Sequence, residues 1–264
     1  MRTLYKSIIF LSIVILSSCQ SEQKKTEKPE EPIKTTQVTK DTIVEKSKVV
    51  EQPYVYGIDI SSYQGNEVDF INSKKDSIGF IICKATQGAF YIDPKFQQNW
   101  SQTKKDGFIR GAYHFYMSQN DPVQQSIHFA KTVGSLEDTD LPPVVDFEGG
   151  GIDKGQPVEE VQKGLLLFIH TTIKQLNRKP MIYTDIPTAY KYLNDPRFAE
   201  YPLWIANYVK KPQPDIPEIW KDKGWSFWQR DADYKLDNFT NDSDVFNGDI
   251  SKLQEFIKST NYNK

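Results

Sequence analysis

From Tyr54 onwards, short apolar runs that alternate with a period of two trade places with amphipathic stretches. The pattern predicts strands at Tyr56–Ile60, Phe80–Thr86, Arg110–Phe115, Pro143–Phe147, Pro180–Thr184, Leu203–Asn207, Ser226–Gln229 and Asp242–Phe246. It predicts helices near Val68–Lys75, Pro94–Lys105, Pro122–Val133, Val158–Asn177 and Thr188–Leu193, with Asp249 as N-cap of a closing helix to Ser259. Strand and helix alternate five times, after which strands follow one another with little helix between. Strands separated by helices imply parallel pairing, and eight of them imply an α/β fold with a closed or nearly closed barrel. The competitor, an open doubly wound sheet, would place a glycine-rich phosphate loop after its first strand, and Gly57-Ile58-Asp59-Ile60-Ser61 is not one.

The chain before Tyr54 reads differently. Arg2 and Lys6 give a basic start, Ile8 to Leu16 a short apolar stretch, and Leu16-Ser17-Ser18 lead into Cys19. This resembles a bacterial lipoprotein signal over residues 1–18, with Cys19 as the lipidated first residue of the mature protein and hence a membrane anchor. The apolar run is too short to span a bilayer comfortably. An uncleaved anchor is the alternative. Residues 19–52 are rich in Lys, Glu, Thr, Gln, Pro and Val, have no aromatic residue and show no period, so they cannot offset their ordering entropy and read as a disordered tether spanning roughly 30 Å. The folded domain is expected over residues 53–264.

Composition narrows the function. The chain carries a formal net charge of −2, and loss of residues 1–18 removes Arg2 and Lys6 but no acid, so no basic stripe for nucleic acid is expected. Of the two cysteines, Cys19 is assigned to lipid, and Cys83 lies in the apolar run Phe-Ile-Ile-Cys-Lys, where it reads as a buried small hydrophobe and not a nucleophile. His114, His128 and His170 form no metal-ligand pair at i, i+4, and His114 is placed in the barrel wall. No Gly-x-Ser-x-Gly elbow is present for an esterase. Neither a metal nor an organic cofactor is expected, and the protein reads as a monomer.

The chemistry concentrates at Leu-Pro-Pro-Val-Val-Asp-Phe-Glu, which ends in Asp146 and Glu148 and runs into Gly149-Gly150-Gly151. Two acids at i and i+2 of a strand point to one face, where each raises the other's cost of ionising. Glycosidic bond cleavage commonly needs such a pair, one carboxyl to protonate the leaving oxygen and one to handle developing positive charge. A Ca²⁺ site or a solvated strand end is the bland alternative. In a barrel the functional groups collect at the C-terminal ends of the strands, so Asp59 on the first strand and Asp242 on the eighth are expected to share one mouth with Asp146 and Glu148.

The segments Tyr56 to Ser61 with Tyr63-Gln64-Gly65, Phe80 to Gly88, Gly111 to Phe115, Pro143 to Glu148, Pro180 to Thr184, Leu203 to Tyr208, Trp228-Gln229 and Asp242 to Gly248 occur in one order along nearly the whole folded part. In this the chain resembles the glycoside hydrolase family 25 lysozymes, which are N-acetylmuramidases. The resemblance implies an irregular TIM-like (β/α)5(β)3 barrel. It implies peptidoglycan as substrate, cut between N-acetylmuramic acid and N-acetylglucosamine, with Glu148 as catalytic acid, Asp146 as the second essential carboxylate, and Asp59 and Asp242 at the floor. Asp146 is expected to stay ionised, either orienting the substrate's N-acetyl group, attacking directly or activating water. Tyr113, Tyr183, Trp204, Tyr208, Trp228 and Gln229 become candidates for sugar contact. Two positions depart from the family's pattern: Gln87 stands where Glu is common, and Asp244 where Asn is frequent. A chitinase-like glycosidase and an inactive glycan-binding lipoprotein are the rival readings. Retention of all four acids favours an enzyme over the latter, because a binding module would be free to lose Glu148.

Overall fold

The computed structural model describes residues 54–64, 77–236 and 239–262. The expected signal segment, Cys19, the tether and the helix near Val68–Lys75 lie outside the described residues. Among the described residues the strands are β1 (Val55–Ile60), β2 (Ile78–Gln87), β3 (Tyr91–Ile92), β4 (Ile109–Phe115), β5 (Val144–Asp146), β6 (Met181–Asp185), β7 (Leu203–Ala206), β8 (Phe227–Leu236) and β9 (Phe239–Phe246). The α-helices are α1 (Phe96–Lys105), α2 (Pro122–Val133), α3 (Val158–Leu176), α4 (Ile186–Tyr192) and α5 (Ile250–Ser259).

The strands are ordered β1-β9-β8-β7-β6-β5-β4-β2, and β1 pairs back onto β2, so eight strands close into a barrel while β3 hangs on β2 outside the ring. The expected α/β barrel is present, with one correction to its strand directions. Within the ring the pairings among β1, β2, β4, β5, β6, β7 and β8 are parallel, whereas β9 is antiparallel to both β8 and β1, as β3 is to β2 outside the ring. The cause is the connection: β8 and β9 are joined directly as a hairpin, and parallel pairing would need a crossover of a dozen residues or more. Both strands also overrun the expected ranges, because the polar stretch Arg230–Lys235 lacks the alternation that marks a half-buried strand.

Alternation along the strands sorts side chains into two cores. Ile81, Cys83, Ala85, Ala112, Val145, Phe147, Ile182 and Ile205 pack outward beneath the helices. Phe80, Ile82, Val144, Met181, Trp204, Phe227 and Phe246 fill the barrel itself, and Leu253 and Ile257 of α5 join them. Because β9 runs backwards it ends at the N-terminal end of the barrel, and the helix that follows is delivered there as a plug. Gly57 allows this filling: a Cβ on it would fall 2.1 Å from the Phe80 ring.

Local signals set the helix ends. Asp121 accepts from the Gln124 N–H ahead of Pro122, Asp185 from the Thr188 N–H, and Asp249 from the Lys252 N–H. The Asp185 cap starts α4 two residues before the expected Thr188. Helix α3 closes on Asn177 in the left-handed region and α2 on Gly134. No helix among the described residues is long and apolar enough to cross a membrane.

Candidate active site

The inward faces change character toward the C-terminal ends of the parallel strands. Above the apolar filling, Lys84 of β2, Asp146 of β5, Tyr183 of β6 and Gln229 of β8 continue the same inward registers and line a cavity of about 250 Å³. Asp59, Tyr113, Phe115, Glu148, Trp204, Tyr208 and Asp242 complete it. Glu148 follows β5 in an extended conformation (φ −137°, ψ 165°), so the alternation carries through Phe147 and both acids look into the cavity while Phe147 is buried outside. Asp242 arrives by another route than expected. It lies near the start of β9, not at a C-terminal strand end, and the antiparallel pairing sets it opposite Asp59.

Gln229 is the hub of one wall. Its Oε1 accepts from Tyr183 (2.9 Å) and Tyr208 (2.6 Å), and its Nε2 donates to Asp59 Oδ2 at 2.7 Å. Two hydroxyl donors on one oxygen fix which way the amide points. Trp204 meets Tyr183 edge to face, with ring centroids 4.7 Å apart, and its Nε1 donates to Asp244 Oδ1 at 2.9 Å. Across the mouth, Lys84 Nζ donates to Gln87 Oε1 (3.0 Å) and lies 4.9 Å from the Phe115 ring centroid. Among the described residues no group of three or more His, Cys, Asp or Glu side chains is arranged to hold a metal ion.

The profile described as "Glycosyl hydrolases family 25" matches residues 58–239. The chain belongs to glycoside hydrolase family 25. It is 31% identical to the N,O-diacetylmuramidase of Arthroderma benhamiae over 77% of this chain and 87% of that protein. It is 29% identical to lysozyme M1 of Streptomyces globisporus over 78% of this chain and 72% of that one. Its fold is similar to that of the lysozyme of Streptomyces coelicolor, with a TM-score of 0.71 and 27% identity, covering 78% of this chain and 98% of the other. This family 25 chain is a glycoside hydrolase.

The mouth of the hydrolase gathers more acid than it can ionise at once. Burial, then the Asp242 charge, pushes Asp59 well above the usual range, and burial, then Glu148, does the same to Asp146. Glu148 is raised by burial and by Asp185, and Asp242 is pushed up to about 6 by burial and Glu148. Asp244 is raised by burial and Asp59. Asp146 is the more deeply buried of the central pair, and its Oδ1 has no hydrogen-bond donor among the described residues. Burial and the neighbouring Glu148 charge thus act against the ionised form of Asp146.

Unfolded aspartates titrate near about pH 3.9. Between there and the raised values, the folded hydrolase holds protons that the unfolded chain has released. Its stability is therefore fully present below the lower limit and falls as pH rises through the upper one, about 6 for Asp242. The thermal midpoint of the wild type relative to Asp242→Asn is expected to drop between about pH 4 and about pH 6, a comparison in which the opposite contribution of the buried neutral His114 cancels. Scanning calorimetry at matched ionic strength measures it, and a constant or rising difference would show that Asp242 is not held protonated.

Of the expected sugar contacts, Tyr113, Tyr183, Trp204, Tyr208 and Gln229 line the cavity. Trp228 does not: it faces outward, where Nε1 donates to the Asn207 carbonyl (2.8 Å) and the ring packs against Trp225. Lys84 and Phe115 went unremarked in the sequence, although Lys84 stands in phase with inward Phe80 and Ile82, and that spacing was the available signal. His114 sits in the wall as expected, bonded to Thr86 and Gln125, with burial lowering it to about 3 so that it stays neutral. Cys83 is buried and its thiol is pushed up to about 12, which removes it as a nucleophile.

Proposed function

We propose that this hydrolase is a muramidase that cuts the β-1,4 bond between N-acetylmuramic acid and N-acetylglucosamine in peptidoglycan. The observation that carries the reading is the placing of Asp146 and Glu148 on one face at the mouth, between Tyr183, Tyr208 and Phe115. Relatives bearing the names muramidase and lysozyme support the same substrate. Glu148, the more accessible of the pair, is the general acid for the bridging oxygen. The buried Asp146 Oδ1 without a donor favours N-acetyl participation over direct attack, since an amide N–H of the sugar would satisfy it. That hydrogen bond stabilises the ionised form of Asp146 and leaves the shared proton on Glu148, ready for transfer as the acetamido oxygen closes on the anomeric carbon. Asp59 raises the proton affinity of Asp146, and Asp185 that of Glu148, by like charge.

Cys19 is proposed to carry lipid and the tether to let the domain reach the wall from the membrane, with the protein working as a monomer. The test is incubation of the detergent-solubilised protein with purified peptidoglycan and analysis of the products by mass spectrometry. New N-acetylmuramic acid reducing ends are expected. Ends on N-acetylglucosamine, or release of peptides alone, would overturn the assignment.

A further inference from the structure

Asp244 is the acid for which the mechanism above has no use. It is fully buried two residues after Asp242 on β9. Its Oδ1 accepts from Trp204 Nε1, while its Oδ2, equally buried, receives no donor among the described residues. A buried carboxylate oxygen in that state is costly, whereas the same oxygen carrying a proton is itself a donor. Among the described residues, groups from several strands act on it. β1 contributes Asp59, in hydrogen-bond contact with Asp244, and β9 contributes Asp242. β7 contributes the Trp204 indole, and β8 contributes Gln229, whose Nε2 is already committed to Asp59. Asp146 and Glu148 of β5 and Lys84 of β2 lie further round the same cavity, with Lys84 turned to Gln87. Among the described residues no cation acts on Asp244, and Asp59 is the acceptor within its reach.

We propose that Asp244 is a positioning residue that works as a neutral carboxylic acid: its Oδ2–H donates to Asp59, holding Asp59 as the ionised acceptor for Gln229 and, through Gln229, setting Tyr183 and Tyr208 across the cleft. Asp59 then takes one hydrogen bond from an amide and one from an acid, and the Gln229 amide is left no freedom to rotate. Burial and the neighbouring Asp59 charge both act to keep the proton on Asp244. Asn at this position would supply the same acceptor to Trp204 and a permanent N–H to Asp59. Asp244 instead makes the wall dependent on a proton: when it ionises, two like charges meet behind Gln229 and the tyrosine pair loses its anchor. This rests on the reading of the mouth as a glycan cleft.

The experiment compares wild type with Asp244→Asn and Asp244→Leu by the pH dependence of KM and kcat on peptidoglycan, and by infrared difference spectroscopy of the ligand-free protein. The wild type is expected to show a protonated-carboxyl C=O band at neutral pH that Asp244→Asn lacks. Its KM is expected to rise several-fold on the alkaline side, while Asp244→Asn keeps a flat KM over that range. Asp244→Leu, with neither acceptor nor donor, is expected to raise KM about tenfold at all pH values, corresponding to loss of one hydrogen-bonding arrangement. An alkaline limb shared by wild type and Asp244→Asn, or absence of the carboxyl band, overturns the proposal. Failure of all three proteins to cleave glycan would instead refute the muramidase reading, with the infrared band still deciding where the proton lies.

Discussion

Glu148→Gln is expected to lower kcat for peptidoglycan cleavage by about 10³-fold while leaving KM within a few-fold of the wild type. General acid catalysis contributes on the order of 10² to 10⁴ in rate, and an amide of the same shape has no proton to give. Ground-state contacts to sugar come from the walls, from Tyr183 and Tyr208 locked by Gln229 and from Phe115 beneath Lys84, and the substitution touches none of them. A loss confined to kcat is the mark of an interaction made in the transition state. The same change should not weaken the fold. Glu148 is half-buried with Asp185 and Asp146 as like-charged neighbours, so replacing it by a neutral amide removes repulsion, and the thermal midpoint near pH 7 is expected to stay level or rise. Steady-state kinetics beside calorimetry decide the matter. A variant that still turns over at the wild-type rate would move the acid role elsewhere, with Asp242 the next candidate because its carboxyl is held near about 6.

The acids of the mouth were legible in the sequence because strand alternation is a strong signal, and Asp146 with Glu148 violates the apolar rule at two inward positions in succession. Tyr183 and Gln229 share that inward phase, but only the family resemblance made them candidates. Alternation is blind to direction, however, since a strand reads alike from either end. The reversal of β9 is therefore invisible in its residues and is set by the short link from β8. That reversal is what brings Asp242 to the mouth and α5 to the opposite end. Lys84 was passed over because a single cation at the end of an apolar strand resembles an ordinary solvated residue, and Trp228 was drawn toward the cavity although one-residue alternation from Gln229 turns it outward. The chemistry of Asp244 depends on which donors reach Oδ2, and strand spacing carries no information on that.

The other interaction hidden from the sequence joins charges 30 residues apart, and it supports the largest expected loss of stability. Arg110 near the start of β4 and Asp140 before β5 form a bidentate pair, Nε to Oδ1 at 2.7 Å and Nη2 to Oδ2 at 3.1 Å, with both side chains buried. The guanidinium lies 3.8 Å from the Trp100 ring centroid of α1, and Asp140 Oδ2 also accepts from the Glu137 N–H. Arg178 then bonds the carbonyls of Glu137 and Asp140 on one side and of Ile257 at the end of α5 on the other. The pair thus ties β4, α1 and the loop before β5 to the helix that plugs the barrel. Asp140→Ala leaves the buried guanidinium only its longer contact, 3.4 Å, to the exposed Glu137 carboxylate, a change that costs about 3 kcal/mol and lowers the thermal midpoint by roughly 10 °C in a domain of this size. Replacing both partners by apolar residues, Arg110→Met with Asp140→Leu, is expected to recover much of the loss, because no orphaned charge remains. The cluster lies at the end of β4 away from the mouth, so KM and kcat measured below the transition should match the wild type for each variant. Thermal unfolding of Arg110→Met, Asp140→Leu and the double variant tests the coupling, and additive losses would show that the ion pair is not what holds this end of the barrel together.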